Sequence, residues 1–315
     1  MVEVASVRNS ILGRIGNTPM VELQALTPGN GARILVKLES ENPTGSMKDR
    51  MALAMIEAAE SDGRLQKGGS VVEYTAGSTG VSLGLVCTVK GYPLHVVTSD
   101  AFSMEKRNHM AALGARLEIV KSKDGGMDAA LTHTMIEKAR SIRERIGAFW
   151  TDQLNNSDQL SAYWRMGEEI WRQTEGHIDA FVQSCGSAAS LRGVAEYLKG
   201  KKPDIQITAV EPSESAVLSG GKAGAHRIEG IGAGFVVPLW KPEIVDKIAT
   251  VSTEEAMEMA RNLARKEALF AGTSTGGNLV AAIQVAKRLG PGSTVVTLMC
   301  DTGIKYLSTS LYRQT

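Results

Sequence analysis

The feature that most constrains this chain is a recurring join. A short apolar strand runs into a loop of glycine and hydroxyl residues, and that loop opens a helix. Residues 70–74 run into Thr75-Ala76-Gly77-Ser78-Thr79-Gly80 and then a helix through Leu83, Leu85 and Val86. Residues 180–183 enter Ser184-Cys185-Gly186-Ser187-Ala188-Ala189-Ser190 and a helix to Lys199. A strand over 34–38 is broken by Asn42-Pro43-Thr44-Gly45, and Ser46 opens a helix whose apolar positions include Met51, Leu53, Ala54 and Ile56. Further strands are expected at 94–98, 117–120, 206–210 and 294–299. They alternate with helices near 104–113, 126–146, 159–173 and 253–267, and one ending at Leu289. Repeated βα units imply an α/β fold with mainly parallel sheets and helices on both faces. A glycine count of 33 with only 5% aromatic residues suits so many tight turns. The polar stretch Asn155-Asn156-Ser157-Asp158 separates two βα series, and 315 residues suffice for about two domains.

Several function classes drop out. The formal net charge is +1, with no basic excess to attract nucleic acid or anionic lipid. No stretch approaches the ~20 apolar residues of a membrane span, and the first residues lack a signal-peptide core. Cys87, Cys185 and Cys300 are widely spaced, which fits buried thiols in a reducing cytoplasm better than disulfides or zinc. The five histidines, His95, His109, His133, His177 and His226, show no ligand spacing, so no metal is expected. No loop carries the glycine fingerprint of dinucleotide or P-loop sites.

The remaining chemistry sits in the loops, because ligands of open α/β sheets lie beyond strand ends at helix N-termini. The loop from Thr75 to Gly80 offers amides and hydroxyls to a carboxylate, or is simply a capped turn. The loop from Gly186 to Ser190 suits a phosphate on the same grounds, with the same alternative. In Asn42-Pro43-Thr44-Gly45-Ser46-Met47-Lys48-Asp49-Arg50, Ser46 and Asp49 have capping-box spacing. Lys48 then falls in the first helical turn, where the helix dipole lowers its pKa modestly. Such an amine suits Schiff-base chemistry; the alternative is a solvated lysine beside Arg50.

Taken in order, these segments resemble the fold type II pyridoxal-phosphate enzymes, in particular the cysteine synthase and cystathionine β-synthase family. The resemblance runs from Ile15-Gly16-Asn17-Thr18-Pro19 through the Lys48 segment and the Thr75 loop. It continues through Gly230-Ile231-Gly232-Ala233-Gly234 and the turn at residues 272–277, to Asp301-Thr302-Gly303. It implies two three-layer α/β/α domains, tryptophan synthase β-like, with the cofactor between them. The smaller, mobile domain would span 42–156 and the larger 1–41 with 157–315. By the same resemblance Lys48 holds pyridoxal phosphate as an aldimine. Gly186, Ser187, Ala188, Ala189 and Ser190 form the phosphate cup, Thr302 meets the pyridine nitrogen, and Ser78 faces the ring hydroxyl. Thr75, Ala76, Gly77, Thr79 and Gln153 take the substrate carboxylate, and Gly232 lines the mouth. Met104-Glu105-Lys106-Arg107 resembles the family's moving segment.

The chain departs from the family pattern at Ala76, Ser78, Ala188 and Ala189. An alanine forced through positive φ in the phosphate cup would cost roughly 1 kcal/mol. The resemblance implies β-replacement on an O-activated serine through an aminoacrylate, with a small nucleophile such as sulfide, in a homodimer. β-Elimination (a cysteine desulfhydrase or a serine/threonine deaminase) and a non-catalytic binding or regulatory homologue are the alternatives.

Overall fold

A computed structural model describes residues 9–123 and 129–313. Its strands form two sheets. The larger comprises β1 (Met20–Glu22), β2 (Arg33–Leu38), β7 (Ala180–Ser184), β8 (Gln206–Pro212), β9 (Lys247–Val251) and β10 (Thr294–Met299), in the order β1-β2-β10-β7-β8-β9. The smaller comprises β3 (Val71–Tyr74), β4 (Leu94–Ser99), β5 (Arg116–Val120) and β6 (Phe149–Trp150), in the order β5-β4-β3-β6. Every pairing is parallel except β1 with β2. The strands of the smaller sheet all fall within 42–156. Those of the larger fall within 1–41 and 157–315.

Each sheet is covered on both faces. In the larger sheet, Leu35, Phe181, Val296 and Leu298 point to one core with α5 (Leu160–Gln173) and α6 (Ala189–Lys201). Their strand neighbours Ile34, Val36, Val182 and Val295 point to the other core, under α7 (Thr253–Glu267) and α8 (Thr273–Leu289). This is the period-2 alternation of a strand buried on both sides. The smaller sheet packs Val71 and Val96 against α2 (Ser78–Lys90) and α3 (Met104–Ala112), and Val72 and Val97 against α4 (Ala129–Ile146).

The helix α1 (Lys48–Ser61) lies at the seam. Met47, Met51 and Met55, four residues apart, enter the core of the larger sheet. Ala52, Ile56 and Ala59, on another face, enter that of the smaller. A buried ion network fixes this helix. The Arg50 guanidinium donates to Glu39 at 2.6 and 2.8 Å and to Glu169 at 2.8 and 2.7 Å, and Lys37 pairs with Glu169 at 2.8 Å.

Most expected elements lie within a few residues of their places. The expected start of the helix over 126–146 lies outside the described residues. Three strands were not expected: β1, β6 and β9, of 3, 2 and 5 residues. The capping box expected at Ser46 and Asp49 does not form. Asp49 turns back to accept from the Thr44 amide at 2.8 Å and hydroxyl at 2.5 Å, and the helix starts from Met47 with no side-chain cap. Among the described residues, no helix is long and apolar enough to cross a membrane.

Candidate active site

Strand register collects the chemistry-bearing loops. Leu38 pairs with Met299, and Val182 with Thr297, so β2, β10 and β7 end side by side. The Met47 amide donates to the Cys300 carbonyl at 2.9 Å, and the Thr302 amide to the Gly45 carbonyl at 3.0 Å. These bonds hold the segment before α1 against the end of β10, and Lys48 is the first residue of α1.

Lys48 lines both an outer cleft of about 740 Å³ and an inner cavity of about 400 Å³. Its backbone amide donates to Ser46 Oγ at 3.2 Å, but its ammonium has no hydrogen-bond or ion-pair partner among the described residues. Burial pushes its pKa down, against the pull of Cys300, Asp301 and Cys185. The helix dipole is therefore not the main cause; desolvation is.

The turn from Thr75 to Thr79 forms one wall of the cleft, at the N-terminus of α2. Gly77 has φ +129°, and a Cβ there would lie 2.5 Å from Lys106 Cδ, so the turn needs glycine. The Gly77 amide donates to Thr75 Oγ1 at 3.0 Å. Thr79 Oγ1 donates to Gln153 Oε1 at 2.8 Å, and Gln153 Nε2 donates to the Tyr74 carbonyl at 2.7 Å. The first-turn amides of α2 have no helical acceptor, so this wall presents donors and a positive dipole end. Ser78 lines both cavities, and its hydroxyl donates to Asp301 Oδ2 at 3.2 Å, a carboxylate following β10.

The turn after β7 faces this wall. Gly186 and Ser187 line the outer cleft, and Gly186 and Ser190 the inner cavity. A Cβ on Gly186 would collide with the Gly230 carbonyl oxygen. Ser190 Oγ accepts from Gln183 Nε2 at 2.5 Å, leaving its own proton free. Ala188 and Ala189 are not among the residues that line the outer cleft or the inner cavity. Ala188 packs with Cys185 and Val237, and Ala189 enters the core beneath α6. Ala188 is left-handed, at φ +66°, whereas Ala189 is the first residue of α6. The alanine strain therefore falls on Ala188 alone.

Thr302 and Gly232 lie next to these two cavities rather than in their linings. Thr302 does not line either cavity; its hydroxyl accepts from the Ile304 amide at 3.4 Å, and its methyl would lie 2.6 Å from a Cβ on Gly45. Gly232, at φ +63°, lines a neighbouring cavity that shares Ala233 with the outer cleft. Its amide donates to the Cys185 carbonyl at 3.1 Å, and its carbonyl meets His226 Nε2 at 2.9 Å. Ser274, in the first turn of α8, adds its hydroxyl to those of Ser46, Ser78, Ser184 and Ser190 in the lining of the inner cavity, beside Cys300. Its signal was the turn at residues 272–277, a strand-free glycine and hydroxyl run that opens a helix.

Across the cleft, Lys106 of α3 pairs with Glu229 at 2.7 Å and lies 4.1 Å over the Tyr306 ring. Among the described residues no cluster of metal-ligating side chains occurs.

The pyridoxal-phosphate dependent enzyme family matches residues 11–301. The cysteine synthase of Staphylococcus aureus strain N315 is 43% identical over 300 residues, covering 95% of each chain. The cysteine synthase of Entamoeba histolytica superposes with a TM-score of 0.91 at 37% identity, over 100% of this chain and 95% of that one. An O-ureido-L-serine synthase superposes with a TM-score of 0.92 at 33% identity, over 98% of this chain and 96% of that one. The chain belongs to the pyridoxal-phosphate dependent enzymes, in the cysteine synthase group.

The residues present fit that cofactor. A primary amine with a lowered pKa stands free at the junction of the two cavities. Amides and the Ser187 and Ser190 hydroxyls open α6 beside it. Gln183 Oε1 and Asp301 Oδ1, in residues lining the inner cavity, are buried acceptors with no hydrogen-bond partner. Such orphans are uncommon in native proteins and mark a place where a ligand completes the network.

Proposed function

We propose that this protein catalyses pyridoxal-phosphate-dependent β-replacement on an O-activated serine. A small nucleophile such as sulfide joins Cβ, and the O-linked group leaves with the bonding electrons. The observation that carries this reading is the free Lys48 amine, set between a carboxylate-binding turn on one wall and an anion-binding turn on the other. The likeness to proteins named cysteine synthase and O-ureido-L-serine synthase supports the O-activated serine.

When bound, pyridoxal phosphate supplies an electron sink for the electrons released at the substrate Cα. Lys48 is the group that bonds the cofactor's aldehyde. Its neutral amine, which the lowered pKa permits, would take the substrate Cα proton. The Thr75 hydroxyl and the Thr79 amide hold the carboxylate in the turn that Gly77 shapes, with Ala76 leaving that turn one hydroxyl poorer. Gln153 braces the turn. Gly186, Ser187 and Ser190, with the main chain at Ala188 and Ala189, hold the phosphate. Ser274 is the hydroxyl that meets the ring nitrogen, in place of Thr302.

Residues 42–156 act in this reading as a smaller unit that closes over the substrate, a motion that would exclude water. A homodimer and a cytoplasmic location belong to the same proposal, the latter supported by three free, buried cysteines.

The test uses purified holoenzyme with O-acetyl-L-serine, with and without sulfide. Cysteine that forms only when sulfide is present is the expected result. Pyruvate released at the same rate without sulfide would replace this reading with β-elimination.

A further inference from the structure

Glu73 precedes Tyr74 at the end of β3 and has no exposed surface. Among the described residues it has no cationic partner, yet both its oxygens are fully engaged. Oε1 accepts from the Tyr74 amide at 2.8 Å and the Trp150 indole at 3.3 Å. Oε2 accepts from the Thr151 hydroxyl at 2.6 Å and the Gln153 amide at 3.0 Å.

The place of this carboxylate explains its cost. The ladder of β6 on β3 covers only Val71 with Phe149 and Val72 with Trp150, and one more bond runs from the Thr151 amide to the Val72 carbonyl at 3.2 Å. Beyond that the sheet no longer holds the chain. Asp152 turns it through φ +46°, and the next amide, that of Gln153, lands on Glu73. The Gln153 side chain then spans to Thr79 and to the Tyr74 carbonyl at 2.8 and 2.7 Å. Its own carbonyl accepts from Gln159 Nε2 at 2.7 Å. Burial raises the Glu73 carboxyl to about 7. A group this expensive to bury is kept where several donors need one acceptor.

We propose that Glu73 is a positioning residue for the substrate carboxylate: by fixing the Gln153 backbone it sets the Gln153 amide, which holds the Thr75–Thr79 turn in its binding shape. The inference rests on the reading of that turn as the carboxylate site, and the experiment separates the two.

The assay is holoenzyme with O-acetyl-L-serine and sulfide. Glu73→Gln keeps an acceptor for Tyr74 and Trp150 but can turn a donor onto the Gln153 amide. It is expected to raise KM for O-acetyl-L-serine roughly tenfold while kcat changes less than about threefold. Gln153→Ala is expected to raise KM by a similar factor, and the double variant to be no worse than Gln153→Ala alone. A merely structural role would not give that non-additivity. Thr151→Val, which removes the other donor to Oε2, carries the test if Glu73→Gln does not fold, and should raise KM about threefold. Unchanged KM in Glu73→Gln (or in Thr151→Val, when that variant carries the test) beside a raised KM in Gln153→Ala overturns the inference alone. So do two factors that multiply. Unchanged KM in Gln153→Ala overturns the carboxylate reading and the inference with it.

Discussion

At Lys48 the sequence gives an incomplete physical reason for a lowered amine pKa. A first-turn lysine is disfavoured by the dipole by ~0.3–1 kcal/mol, a modest effect. The amine instead lies between two lobes, where lost hydration is the leading cause of its lowered pKa. Burial of this kind depends on residues far apart in the chain and has no local signature. Thr302 and Ser274 show the same gap. Both are hydroxyls after glycine-rich or strand-end signals, and only the tertiary arrangement shows which one lines the inner cavity. Ala188 is the opposite case, since its strain followed from residue type once a positive φ was in question. Ala188→Gly should therefore stabilise the protein by roughly 0.5–1 kcal/mol, read as a higher urea midpoint at unchanged slope. A lower midpoint would mean that the alanine methyl, packed with Cys185 and Val237, outweighs the strain.

Among the elements, α1 does most to place the site, and its anchor is ionic. Glu169 accepts from both Arg50 and Lys37, and these contacts hold its carboxyl down to about 2 from an ordinary 4.5. A folded pKa below the unfolded one gives stability that is complete above about pH 5 and lost as pH falls towards 2. The loss is about 3 kcal/mol if this group acts alone. Urea midpoints measured between pH 3 and 6 should fall with acidification in the native protein and fall less in Glu169→Gln. At pH 7 that variant should itself be less stable by roughly 3 kcal/mol, because two buried cations lose a counter-charge. Equal slopes in the two proteins would remove Glu169 from this account. The long elements were legible because apolar periodicity over many residues is a strong local signal. The short strands β1 and β6 were not, since 3 and 2 residues carry no period. The capping spacing at Ser46 misled because Thr44 offers Asp49 both its amide and its hydroxyl.

On the scale of the whole molecule, many contacts tie the side carrying the smaller sheet to the side carrying the larger, and three of them link side chains of α2 and α3 to the larger side. They are Lys106 with Glu229, Ser78 with Asp301, and Glu105 accepting from the Ser308 amide and hydroxyl at 2.5 and 2.7 Å. The first two involve residues that line the cleft and its inner cavity, so they bear on how firmly the two halves sit together there. Glu229→Gln should weaken the first of them and raise amide exchange in α3 while leaving β10 protected; equal exchange in both proteins would show that the pair carries no such load. The central claim is more direct to test. Holoenzyme reduced with borohydride and digested should carry the pyridoxyl group on the peptide that contains Lys48. Label on another lysine, or on none, would contradict the account.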